Sequence, residues 1–202
     1  MSSDAAAQLA DSTESAHDEP PRNRRQEETF RKVLTAGMEM LRESSYADLT
    51  VRAVAARAKV APATAYTYFS SKNHLIAEIY LDLMSKVPYY TDVNEPMPIR
   101  VEKALRNLTL VVADEPEVAA ACTTALLSGN DPTVRRVRDR IGLEIHRRIK
   151  SAAGPDTDAR VVSALEMTYF GALVNAGSGA FTYHQIADRL SYVVGLILGE
   201  HP

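Results

Sequence analysis

Beyond Pro21, apolar residues recur along the chain at intervals of three and four, the spacing that gathers them on one face of a helix. Phe30, Val33, Leu34, Gly37, Met38 and Leu41 form one such stripe and predict a helix over 26–43. A shorter stripe of Val51, Val54, Ala55 and Ala58 follows Thr50, a good N-cap, and predicts a helix of about two turns. Lys59 and Val60 break that period. Pro62 then stands at the first position of another short helix, where its missing N–H costs nothing, and that helix runs to about Phe69. With Ala65 at the centre of its inner face, a rotation of about 100° per residue turns Ala61, Pro62, Tyr68 and Phe69 inward. Ala63, Thr64, Tyr66 and Thr67 turn outward or to the flank. Ser70 or Ser71 caps a fourth helix carrying Leu75, Ile76, Ile79, Leu83 and Val87, which Pro88 ends.

Three prolines between Pro88 and Pro98 make 89–98 a loop, after which helical stripes resume. They predict a helix ending near Asp114 (Val101, Leu105, Leu108, Val111, Val112) and another over 115–128 (Val118, Cys122, Leu126, Leu127). A turn at 129–132 places Pro132 at a helix start, and 133–153 forms a long helix with Val134, Val137, Ile141, Ile145 and Ile149 inward. Two more helices, over 158–176 and 184–198, complete an all-α chain of about nine helices.

Two short helices joined by a tight turn, as over 49–72, form a helix-turn-helix, although the same pattern also makes a plain αα-corner. Charge changes the picture. The whole chain of 202 residues has a net charge of −3, yet 22–72 holds ten Lys or Arg against five Asp or Glu, a local +5 suited to a surface near phosphates. A small, hydroxyl-rich outer face suits insertion into the major groove, with Arg52, Ala63 and Thr67 as base-edge candidates. Residues 1–21 carry five acids and no Lys or Arg, the composition of a disordered tail. Arg22-Asn23-Arg24-Arg25 follows as a flexible basic arm, with Arg24 and Arg25 placed to enter a minor groove or touch phosphates. A solvated charge run would read the same way.

The run 49–72 resembles the TetR family of bacterial transcriptional regulators. Thr50-Val51-Arg52, Ala55, Ala58, Val60, Thr64, Tyr66-x-Tyr68-Phe69 and Ser71-Lys72 carry the likeness, which extends over about 24–83; Ala65, where the family has a larger aliphatic residue, departs from it and implies an underfilled contact. The resemblance implies an N-terminal helix-turn-helix three-helix domain over 22–72 and a helical ligand-binding and dimerisation bundle over 73–202. It implies a homodimeric repressor on a palindromic double-stranded operator, with Thr50, Thr64, Tyr66, Tyr68 and Lys72 meeting phosphates or backbone. The fourth helix would link the two parts, and the last two helices would pair with their symmetry mates. Their apolar residues are not confined to one stripe, so each needs two partners, and Gly171, Ala172, Ala176, Gly195 and Gly199 would permit close approach.

A small-molecule effector is implied in the same way, with Met84, Tyr90, Leu108, Val112, Cys122, Leu126, Met167, Tyr169, Phe170 and Asn175 as wall candidates, each of which also reads as plain core. That set suits an apolar ligand with a polar handle. The second half is loosely similar to actinobacterial regulators of lipid and sterol catabolism, whose effectors include acyl-CoA thioesters. Arg135, Arg136, Arg138 and Arg140 could meet phosphates of such a ligand or form a solvated face. Cys122, the single cysteine, reads as a small core residue, and His74, His146 and His184 are too scattered for a metal. No cofactor, phosphate loop or nucleophile elbow is expected. The longest apolar run, 193–198, is far short of a membrane span, and 1–21 lacks signal-peptide character, so the cytoplasm is the expected location.

Overall fold

The computed structural model describes residues 22–127 and 131–199, and among them lie nine helices and no strand. The acidic segment 1–21 and residues 129–130 of the turn at 129–132 fall outside the described residues. The head is built from α1 (Arg24–Glu43), α2 (Val51–Arg57) and α3 (Pro62–Tyr68). Thr50 caps α2, its hydroxyl accepting from the Ala53 N–H at 3.1 Å, and Pro62 opens α3 as its position predicts.

The basic arm is corrected. Asn23 forms a capping box with Gln26, its side chain accepting at 3.0 Å and its N–H donating at 2.8 Å, so α1 begins at Arg24 and both Arg24 and Arg25 lie in its first turn. The inner face of α3 is also corrected: Ala61 and Pro62 are exposed, because Ala61 is an extended N-cap outside the helical wheel. Ala65 is fully enclosed, and beside this face Phe69 stacks on Phe30 with ring centres 5.0 Å apart.

α4 (Lys72–Ser85), capped by Ser71, runs from the head into the larger bundle and stops two residues short of Val87. It crosses α1 at Gly37, where an added Cβ would stand 2.9 Å from Ile79 Cδ1. The bundle continues with α5 (Met97–Leu110), α6 (Pro116–Leu127), α7 (Pro132–Ala153), α8 (Ala159–Gly177) and α9 (Tyr183–Leu198). The stripe expected to reach Asp114 leaves the helix at Leu110 and continues as a turn. One continuous core joins head and bundle, with α7 packed along α4, and α9 packed on α5 and α8. No helix among the described residues is long and apolar enough to cross a membrane.

Candidate nucleic-acid interface and ligand cavity

The outward side of α3 carries Ala63, Thr64, Tyr66 and Thr67, all exposed, with Thr67 Oγ1 donating to the Ala63 carbonyl at 3.1 Å. Thr50 and Arg52 lie exposed beside it at the start of α2. Tyr68 and Lys72 are drawn into the head instead. The Tyr68 ring sits edge-on to Phe30, and Lys72 donates to the Tyr46 carbonyl at 2.9 Å while lying 4.0 Å over the Tyr46 ring. A phosphate would have to compete for that ammonium.

The local charge of this segment resolves into paired and unpaired cations. Arg24 pairs with Glu28, Arg31 with Glu27 and Asp82, Arg42 with Glu115, and Arg57 with Glu39 and Glu43. Hydrogen bonds from Arg57 hold the Glu43 carboxyl below its usual range. Arg25, Lys32, Arg52 and Lys59 make no ion pair with the described residues, so they carry the field available to a polyanion. Lys59 occupies the turn between α2 and α3 with φ of +56°.

Polar joints tie the end of α3 and the length of α4 to α7. Ser70 Oγ lies 3.0 Å from Thr133 Oγ1, and Ser71 Oγ donates to Asp131 Oδ2 at 3.1 Å. Midway, the buried Glu78 accepts from Arg140 and faces His74. The Ser70 N–H donates to His74 Nδ1, which leaves the ring proton on Nε2, toward Glu78. Burial alone would raise the Glu78 carboxyl; the hydrogen bond from His74 and the charge and hydrogen bond of Arg140 outweigh it and hold the group below its ordinary value. At the far end, fully buried Arg148 donates to the Ser85 and Val87 carbonyls at 3.1 and 3.0 Å and pairs with Glu144.

α7 also walls a cavity of about 200 Å³ formed with α4, α6, α8 and the start of α9 and open to solvent beside Phe170 and Val174. Cys122, Leu126 and Phe170 line it among the residues expected from sequence. Met84, Leu108, Val112 and Tyr169 are instead buried core, Tyr90 is turned to Asn107, and Met167 and Asn175 are exposed on α8. Tyr80, Thr123 and Tyr183 supply hydroxyls that the sequence pattern does not flag, and Ile141, Leu173 and Val174 add apolar wall. Arg138, one of the four arginines singled out on α7, faces the cavity; Arg135 and Arg136 are exposed and Arg140 is committed to Glu78. Burial pushes the Cys122 thiol up to about 12, so it is an apolar wall group and not a thiolate.

A three-helix head with an exposed second short helix, carried on a helical bundle with an apolar cavity, defines a DNA-binding regulator. The sequence profile described as bacterial regulatory proteins of the tetR family matches residues 33–79. An HTH-type transcriptional regulator of Mycobacterium tuberculosis is 76% identical over 178 residues, covering 88% of this chain and 84% of that protein. The HTH-type transcriptional repressor KstR of Rhodococcus jostii is 28% identical over 189 residues, 87% of this chain and 85% of its own. Thermus thermophilus FadR, solved as a TetR family transcriptional repressor in complex with lauroyl-CoA, aligns with a TM-score of 0.63 at 16% identity over 86% of this chain and 95% of that one. The chain belongs to the TetR family of bacterial transcriptional regulators, whose members bind DNA and act as dimers.

Proposed function

We propose that the protein is a cytoplasmic homodimeric repressor, released from a palindromic operator when a small, largely apolar ligand occupies the cavity between α4 and α8. The head over 22–72 binds DNA, with Arg52, Ala63 and Thr67 at base edges and Thr50, Thr64 and Tyr66 at phosphates; Arg24, Arg25, Tyr68 and Lys72 lie at the margin of that surface. The body over 73–202 binds ligand and pairs through α8 and α9, whose Met167, Phe170, Val174, Tyr192 and Leu196 leave apolar surface exposed. It acts by binding and not by catalysis.

One observation carries this assignment: α7 lines the cavity through Arg138 and Ile141 and, at its own start, holds the serines that follow α3. A ligand that moves α7 therefore moves the end of the recognition helix. An acyl-CoA thioester is the second effector class, supported by the lauroyl-CoA with which Thermus thermophilus FadR was solved. Fluorescence anisotropy on DNA from the protein's own upstream region tests both parts. Sequence-specific binding that weakens steeply with salt, and release by an acyl-CoA or a lipid, are expected. Binding insensitive to sequence would overturn the operator role, and tight binding untouched by lipids would overturn the effector role.

A further inference from the structure

α7 carries six arginines, and their partners divide them. Arg140 pairs with Glu78, and Arg147 and Arg148 share Glu144, so three guanidinium groups have a carboxylate partner within the fold. Arg135 and Arg136 are exposed to water. Arg138 alone of the six faces the cavity, half-buried, and its Nη1 donates one bond at 3.2 Å to the Leu126 carbonyl. It meets no carboxylate among the described residues.

A guanidinium offers five N–H donors in a planar fork, and only one bond from Arg138 is made to the described residues, which leaves the rest of the fork to a ligand. The remaining wall supplies no counter-charge. It consists of aliphatic and aromatic groups, the hydroxyls of Tyr80, Thr123 and Tyr183, and a thiol held protonated by burial. A planar anion matches the fork with two parallel hydrogen bonds, and the aliphatic wall from Ile141 to Leu173 suits the body attached to it.

We propose that Arg138 makes this cavity a receptor for a compact apolar carboxylate, the free acid and not its coenzyme A thioester. This rests on the cavity being the effector site. The space is compact, about 200 Å³, and opens to solvent beside Phe170 and Val174. That space takes a short acyl chain or one small ring system, with the acid group inside and against Arg138. A thioester would place an uncharged carbonyl there and carry its phosphates outside.

The test uses the full chain with octanoate, octanol and octanoyl-CoA as probes, measured by thermal shift and by release of bound operator, in wild type, Arg138→Gln and Arg138→Lys. Octanoate is expected to raise Tm and release DNA, to lose at least tenfold in affinity in Arg138→Gln, and to recover part of it in Arg138→Lys. Octanol affinity should be the same in all three. Equal binding of octanoate and octanol by wild type, or binding of octanoyl-CoA alone, overturns the carboxylate assignment even if Arg138→Gln fails to fold. If octanol or the thioester releases operator while octanoate does not, the effector site stands while the carboxylate falls. If octanoate binds through Arg138 yet DNA stays bound, the carboxylate stands and the effector role falls.

Discussion

Lys59 combines two opposing effects at one residue. Its φ of +56° places a side chain in the left-handed region, a conformation that costs an L-residue about 1–2 kcal/mol. Its ammonium is one of the cations not paired within the head. Lys59→Gly should therefore stabilise the fold by about 0.5–1 kcal/mol while weakening DNA binding on every sequence and lowering its salt slope by about one. Loss of both stability and affinity would show that the lysine serves the fold. Arg52 is expected to behave differently: Arg52→Ala should cost about 1–3 kcal/mol on the operator and relax preference at one position of each half-site. Tyr66→Phe should weaken all sequences nearly equally. The same loss on operator and random DNA for Arg52→Ala would remove Arg52 from base recognition. Gly177 is a packing counterpart, since a Cβ there would lie 2.4 Å from Thr123 Cγ2. Gly177→Ala should destabilise by about 1–3 kcal/mol, with Thr123→Ala in the same chain restoring most of the loss in a thermal melt.

Among the elements, α4 and α7 are joined so that neither shifts alone. Arg148 caps the closing carbonyls of α4 from a fully buried position, and Arg148→Met strands two backbone acceptors and leaves Glu144 to Arg147 alone. A loss of about 3–5 kcal/mol is expected, read from denaturant unfolding; a loss under about 1 kcal/mol would make the contact incidental. Glu78 ties the same pair at mid-length, and its lowered carboxyl value sets a pH dependence. Because the folded form favours the carboxylate, its contribution is present above the unfolded value of about 4.3 and disappears as pH falls through the folded value. Glu78→Gln should lower Tm at neutral pH and lose part of the acid dependence seen in wild type; parallel Tm curves from acid to neutral pH would contradict this. These helices were legible in sequence because each has a 3.6-residue stripe and a chemical start such as Thr50, Ser71 or Pro132. Asn23 does not declare itself as a cap in the sequence, because arginines on both sides read as a charged arm. The joints were not legible: Ser70 with Thr133 and Glu78 with Arg140 are 63 and 62 residues apart, and no periodicity reports such pairs.

At the scale of the whole molecule, the cavity draws Tyr80, Cys122, Arg138, Phe170 and Tyr183 from five helices, which explains why the sequence supplied only part of its wall. Residues such as Leu108 and Val112 have the same apolar character but face the shared core. Apolar composition alone does not separate a wall from a core. The exposed side of α8 sets a further expectation, since Met167, Phe170 and Val174 recur on one face. Phe170→Asp should raise the dimer dissociation constant by about 100-fold, seen as monomer in sedimentation at micromolar concentration. An unchanged dimer would direct attention to another surface. On the outer side of α3, the hydroxyl of Thr67 bonds only within its own helix, while the ties to the body begin beyond it at Ser70 and Ser71. The face that would select a promoter is thus separate from the joint that would convey occupancy, and selection can rewrite its target without disturbing its control. Paralogues descended from such a chain could diverge in what they govern while still answering the same chemical.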